Sequence, residues 1–323
     1  MKLEGKRILV TGGAGFIGSH ICEKLLQENA NVIILDNFST GSWRNISELG
    51  GLRVVEGDIN KKKIFRKLEN ERFDIAFHYA AVVGVQRTEE NPCLVLDDVQ
   101  GIRNIGKLAL RGKIGKVIFA SSSEVYGNTE KMPMDEKDGV VAWNPYSTIK
   151  LYGEHFFSSL WKHHKIPTVS LRFFNVYGPR QSGSAYGFVV SRFIEQVRSG
   201  ETLTIHGDGS QTRDFVYVDD NVRAALAAID KVEAWGQVIN VGSGRETSVA
   251  ALAELIVGLM SAQGLGADLV FVKGRLGDVQ RRCASVRRME GLLGCSCKTS
   301  LEEGVRKIVK LVEEQKKVRV EVV

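Results

Sequence analysis

No apolar run in these 323 residues approaches the ~18 that a membrane-spanning helix needs, so no membrane partner is expected. The N-terminus, MKLEGKRILVTGG, runs from charge straight into a strand-like pattern. It lacks the apolar stretch and small-residue cleavage site of a secretory signal, and the expected compartment is the cytoplasm. Cysteine is scarce: five residues, odd in number and scattered, with no Cys or His pair near Cys295-Ser-Cys297 to complete a tetrahedral zinc site. No metal site is expected, and the thiols are read as free. Internal repeats and low-complexity tracts are also missing.

What remains is an ordinary globular composition, 43% hydrophobic and 25% charged, which excludes a disordered, collagen-like or coiled-coil chain. The length suits one large domain or two modest ones. Lys and Arg number 44 against 38 Asp and Glu, a net charge of +6. The local clusters KKKIFRK (61–67) and QKKVRV read as solvated helix or tail, so no nucleic-acid partner is expected and phosphate-bearing small molecules fit better.

The first half alternates short β-branched runs with helical periodicity. RILVTG (7–12), NVIILD (31–36), LRVVEGD (52–58), FDIAFHYA (73–80), KVIFASS (116–122) and TVSLRFF (168–174) read as buried strands. Strands apolar throughout and separated by helices predict a doubly wound parallel sheet, an α/β Rossmann-like fold. After Asn175 loops lengthen and strands shorten, which predicts a smaller, interleaved α/β substrate domain. The expected division is 1–174 with 214–247 for dinucleotide binding, and 175–213 with 248–323 for substrate. DFVYVDDNVRAALAAID and QVINVGSG are expected to return a helix and a strand to the main sheet.

RILV-TGGAGFIG carries a strand directly into Gly12, Gly13, Gly15 and Gly18, with a helix following. Missing Cβ atoms permit a tight turn and close backbone approach to a pyrophosphate, and the helix N-terminus adds N–H donors. Asp36 ends the second strand about 20 residues on, where a carboxylate accepts the adenosine ribose hydroxyls. Asn37 follows without an adjacent Arg, so NAD is expected over NADP. Asp58-Ile59, ending the third strand, is placed to contact the adenine.

Tyr146 and Lys150 lie four apart in a predicted helix and share one face. A lysine beside a phenol favours the phenolate, which would make Tyr146 a base near neutral pH. Ser121, Ser122 and Ser123 end a strand in the same half of the chain.

TGGAGFIG, SSSEVYG, PYSTIK, LRFFNVYGPR, GDGSQTRDFVYVDD and RLGDVQRRCAS together resemble the extended short-chain dehydrogenase/reductases that act on nucleotide sugars. That family includes 4-epimerases, 4,6-dehydratases and UDP-glucuronate decarboxylases. The resemblance implies that Tyr146 removes the sugar hydroxyl proton, Lys150 holds the nicotinamide ribose, and Ser122 hydrogen-bonds the reacting oxygen. It extends the NAD contacts to Phe16, Ile17 and Ala80. For a UDP-sugar it implies Asn175, Arg213 and Arg275 at the diphosphate, Asp278 at the nucleoside ribose and His206 against the base. A homodimer through the helices matching 95–111 and 143–164 is implied as well.

All such enzymes first oxidise a sugar hydroxyl to a ketone with the nicotinamide. An epimerase then returns the hydride to the other face of the sugar and needs no further acid or base. A dehydratase or decarboxylase needs more, and Glu124, two residues after Ser122, stands where enzymes of those kinds often carry a glutamate. The dTDP-glucose dehydratases have an aspartate before it, where this chain has Ser123. The segment VVAWNP before Tyr146 lacks the arginine-containing stretch of the decarboxylases. Asp98 replaces the family's usual asparagine, and Val82-Val83 replaces a lysine of bacterial galactose epimerases. The reading is a UDP-sugar 4-epimerase, with a dehydratase or decarboxylase using Glu124 as the alternative. A non-enzymatic NAD-binding regulator comes last, because Tyr146 and Lys150 are both intact.

Overall fold

The computed structural model describes residues 3–182, 188–274 and 279–321. Seven strands make one parallel sheet: β1 (Arg7–Thr11), β2 (Asn31–Asp36), β3 (Arg53–Glu56), β4 (Phe73–His78), β5 (Ile114–Ser122), β6 (Thr168–Phe173) and β7 (Val238–Val241). Their order is β7-β6-β5-β4-β1-β2-β3. The chain starts in the middle, winds one way through β3, then returns to build outward from β4. That reversal leaves a crevice above the carboxyl ends of β1 and β4.

Alternation along the strands explains the two covered faces. On β1, Ile8 and Val10 enter one core with Ile21, Cys22 and Leu25 of helix α1 (Phe16–Gln27). Leu9 enters the opposite core with Ile102 and Ile105 of α2 (Pro92–Leu110) and Phe157 and Leu160 of α3 (Pro145–His164). The apolar stripes of α2 and α3 thus face their own sheet, leaving Leu96 61% and Tyr152 41% exposed. Among the described residues, no helix is long and apolar enough to cross a membrane.

The helix and strand expected after Arg213 are α4 (Val218–Ala227) and β7, which pairs with β6. Short strands fill the remainder. Asn175–Tyr177 pairs with Phe215–Tyr217, Thr212–Arg213 with Thr247–Ser248, and Leu203–His206 with Leu269–Val272. The core on the α1 face continues through Ile205, Ile256 and Val305 of this region.

Helix α3 begins at a capping box. Asn144 Oδ1 accepts the Ser147 N–H at 2.7 Å, Ser147 Oγ accepts the Asn144 N–H at 3.2 Å, and Pro145 opens the first turn. Two turns on, Glu154 is buried against β5 and β6. Its carboxylate takes Arg172 in a bidentate pair, Nε to Oε1 at 2.8 Å and Nη2 to Oε2 at 2.7 Å, and accepts the Ser121 hydroxyl at 2.5 Å. Removing one partner of such a pair strands a buried charge. Arg172→Met is therefore expected to destabilise the protein by about 3–5 kcal/mol in urea unfolding. A loss within about 0.5 kcal/mol would mean that the pair does not hold this part of the fold.

Candidate active site

A cleft of roughly 360 Å³ opens above the carboxyl ends of the strands. Its floor at one end is the glycine loop. Gly12 has φ of +73°, and a Cβ there would lie 2.8 Å from Ala80 N. A Cβ on Gly18 would collide with the Gly12 carbonyl oxygen. Gly15 lines the cleft, and a Cβ on it would meet only that same oxygen, at 3.1 Å, so its missing side chain leaves open space. Phe16, Ile17, Asn37, Asp58, Ile59 and Ala80 line the same cleft.

Asp36 closes this end. Its Oδ2 accepts the Ala14 N–H at 2.9 Å and its Oδ1 the Phe38 N–H at 2.8 Å, which clamps the glycine loop to the loop after β2. Both loops are stitched again at the Ala14 carbonyl, which accepts Ser42 N–H at 3.0 Å and Asn45 Nδ2 at 2.8 Å. Asp58 Oδ1 accepts the Asn60 N–H at 2.8 Å, a turn at the end of β3.

At the other end, Ser122 from β5 and Tyr146 from the first turn of α3 both line the cleft. Lys150 lies behind them, buried, with Nζ donating to the Ala120 carbonyl at 2.7 Å and 5.5 Å from the Tyr146 ring centroid. The expected low Tyr146 pKa is corrected here. Burial pushes the phenol well above its ordinary value; the Ser122 hydrogen bond opposes this, and the Glu124 and Asp98 carboxylates add to it. Lys150 is itself lowered to about 8 by burial, against the pull of Asp98 and Glu154. Burial thus favours the neutral phenol of Tyr146, and the Ser122 hydrogen bond favours its phenolate.

Glu124 does not line the cleft. It sits just outside, ion-paired with Arg282, which is buried and also donates to Ser123 Oγ at 3.3 Å. Glu124 Oε2 and Arg282 Nε are buried without hydrogen-bond partners. Asn175 follows the cleft residue Phe174, with Oδ1 buried and unpartnered. Two expected substrate residues are not among the described residues lining the cleft. His206 Nδ1 faces the Lys273 carbonyl at 3.4 Å, and Arg213 Nη1 donates to the Thr212 and Val279 carbonyls at 2.8 and 2.7 Å. Strand pairing holds both in short two-stranded sheets outside the seven-stranded one. Arg275 and Asp278 lie outside the described residues.

Three further residues make contacts that the sequence reading did not foresee. Thr11 Oγ1 accepts the Tyr79 and Ala80 N–H groups, each at 3.2 Å, and sits 2.8 Å from His78 Nδ1. With both acceptor positions used, the hydroxyl donates to His78, which burial keeps neutral by lowering it to about 3. Asp98 Oδ2 accepts the Val82 N–H at 2.8 Å. Arg282 reaches Glu124 across 158 residues of chain. No contiguous motif encodes these contacts.

Comparison with known proteins bears on this arrangement. The profile of the NAD dependent epimerase/dehydratase family matches residues 8–242. A solved epimerase of the thermophilic methanogen Methanothermobacter thermautotrophicus superposes with a TM-score of 0.91 at 34% identity, covering 98% of this chain and 94% of that one. The UDP-glucose 4-epimerase of Thermus thermophilus, solved with NAD, gives 0.86 at 32% identity over 94% and 98%. A UDP-N-acetyl-alpha-D-glucosaminuronate decarboxylase of Bacillus cytotoxicus is 35% identical over 96% of this chain and 98% of its own.

The cleft fits NAD. The side-chain-free space at Gly15 and the N-terminus of α1 would receive the pyrophosphate, Asp36 the ribose hydroxyls, and Asp58 and Ile59 the adenine. Bound there, NAD would supply acceptance and return of a hydride. Asp36→Ala is expected to weaken NAD binding by at least tenfold in calorimetry, about one lost charge-assisted hydrogen bond. Unchanged affinity would remove Asp36 from the ribose site.

Proposed function

The chain belongs to the NAD-dependent epimerase/dehydratase family, and we propose that within it the protein is a UDP-sugar 4-epimerase, of the UDP-glucose/UDP-galactose or UDP-GlcNAc/UDP-GalNAc type. One observation carries the reading. The Ser122–Tyr146 hydroxyl pair faces the cleft, while Glu124, the carboxylate that the sequence sets two residues after Ser122, is closed in an ion pair with Arg282. Inverting one carbinol centre needs a single group that takes a hydroxyl proton and gives it back. Elimination needs a second base and an acid as well.

In this reading Tyr146 Oη carries the proton in both directions. Ser122 orients the reacting oxygen and, by hydrogen-bonding the phenol, eases its ionisation. Lys150 lies under the ring as the compensating cation. Asn175, with its buried and unpartnered Oδ1, is the substrate residue best supported on the sugar–diphosphate side. Arg213, Arg275, Asp278 and His206 remain part of the proposed nucleotide site. Exposed Leu96 and Tyr152 support a homodimer built on α2 and α3, which light scattering would report as twice the chain mass.

The Glu124–Arg282 pair also favours a second reading. Two ionisable groups stand beside Ser122, as decarboxylation or dehydration would require, and a decarboxylase is among the relatives. An NMR time course separates the two, using UDP-glucose, UDP-GlcNAc, UDP-glucuronate and their galacto epimers without added NAD. Interconversion of a gluco and galacto pair to a stable mixture is expected. Loss of carbon dioxide from UDP-glucuronate, or a 4-keto-6-deoxy product, would put Glu124 to work and overturn the epimerase. Tyr146→Phe is expected to lower turnover by about 10²–10⁴-fold. Retained turnover would sink its assignment.

A further inference from the structure

The wall of the cleft is acidic. Asp36, Asp58, Asp97 and Asp98 all border it, and among its described lining residues Arg87 is the single lysine or arginine. The NAD that the cleft fits and the proposed UDP-sugar both carry a diphosphate, which such a wall repels. Open space at Gly15 and the N-terminus of α1 suits one of these groups with neutral N–H donors. A guanidinium on the same wall offers the missing positive charge.

Other cations around the cleft are committed. Lys61 stands 4.0 Å from Asp97, Lys150 donates to the Ala120 carbonyl, and Arg180 pairs with Glu23. Arg282 is taken by Glu124, and Arg213 donates to the Thr212 and Val279 carbonyls. The Arg87 side chain has no ion-pair or hydrogen-bond partner among the described residues.

Local structure fixes its place. Gly84, at φ of +98°, turns the chain after β4 into the short helix Val85–Glu90. The Thr88 N–H closes on the Gly84 carbonyl at 3.0 Å, and the Thr88 side chain is fully buried, which pins the helix. Arg87 comes one residue earlier, on the cleft wall with Val82, Val83 and Leu94. Its carbonyl accepts the Asn91 N–H at 3.1 Å, so the backbone is held while the guanidinium stays uncommitted.

We propose that Arg87 is a ligand-binding residue whose guanidinium takes a diphosphate group in the cleft through its planar fork of N–H donors. The diphosphate is that of the dinucleotide or that of the sugar nucleotide, and the test tells them apart. The proposal rests on the cleft being the nucleotide site. It is read by binding rather than turnover, so it stands apart from the NMR time course.

The test is calorimetry on the parent, Arg87→Gln and Arg87→Lys, with UDP titrated into NAD-loaded protein and ADP-ribose into cofactor-free protein. Arg87→Gln is expected to weaken at least one ligand by about tenfold or more. A loss for UDP alone assigns the arginine to the sugar nucleotide, and a loss for ADP-ribose alone to the dinucleotide. A loss for both places it between them. The gap to the parent is expected to narrow from about 0.1 M to about 1 M salt, as the screening length falls from about 10 Å to about 3 Å. Arg87→Lys keeps the charge without the fork and is expected to bind between the other two. Arg87→Gln loses no described partner, so it is expected to unfold within about 2 °C of the parent. Unchanged affinity for both ligands, a loss that salt leaves untouched, or a Lys variant no better than Gln would overturn the proposal. A parent that fails to bind UDP would instead count against the sugar-nucleotide reading, with the ADP-ribose arm still deciding on Arg87.

Discussion

The arrangement of the cleft depends on how α3 is fastened to the end of β5. Apolar packing by Phe157 and Leu160 presses the helix against the sheet, yet such contacts are non-directional and tolerate a small slide or roll. Two polar contacts remove that freedom. Lys150 Nζ takes the Ala120 carbonyl, and one turn later Glu154 takes the Ser121 hydroxyl while gripping Arg172 on β6. Consecutive residues of one strand are thereby matched to consecutive turns of one helix. Because β5 and β6 pair Ser121 with Arg172, the same grip sets the sheet edge from which Ser122 points. A buried carboxylate and guanidinium are costly to desolvate, and this bidentate geometry offsets the cost while fixing the register.

Features that sit in one short stretch of chain were legible. The glycine loop, Asp36 and the spacing of Tyr146 and Lys150 are local, and the cleft gathers them as their spacing implied, with Lys150 one layer behind the surface. The strands were legible because a parallel sheet covered on both faces leaves near-continuous apolar runs, as in NVIILD. Legibility fails where the property belongs to the environment. The direction of the Tyr146 pKa follows from burial and from carboxylates on other elements, and the Tyr-x-x-x-Lys spacing encodes neither. Arg282 meets Glu124 from the far end of the chain, so the glutamate looked available in sequence and is occupied in space. His206 and Arg213 were placed by resemblance; each meets a backbone carbonyl, of Lys273 and of Val279, and their role toward a substrate is part of the proposal.

Epimerases and a decarboxylase match this chain to similar degrees, 37%, 35% and 33% identical. Overall likeness therefore says little about the reaction. Around the Ser122–Tyr146 pair stand a few ionisable groups, each held by a partner from a different element: Glu124 by Arg282, Lys150 by Ala120, Asp98 by the Val82 backbone. Chemistry in such a frame is altered by changing a partner as readily as by changing the group itself.

Asp36 carries a similar double duty at the opposite end of the cleft. Its two oxygens are engaged by Ala14 N–H and Phe38 N–H, and the Gly41 backbone lies so close that a Cβ there would come within 2.9 Å of the carboxylate. The group suited to reading the ribose is thus also the latch between two loops. With Asp36 in its proposed ribose role, cofactor preference is a property of the latched pair of loops rather than of one side chain. Re-engineering it toward a 2′-phosphorylated dinucleotide means rebuilding residues 36–45 as a unit, because a lone Asp36 replacement opens the latch before it admits the phosphate.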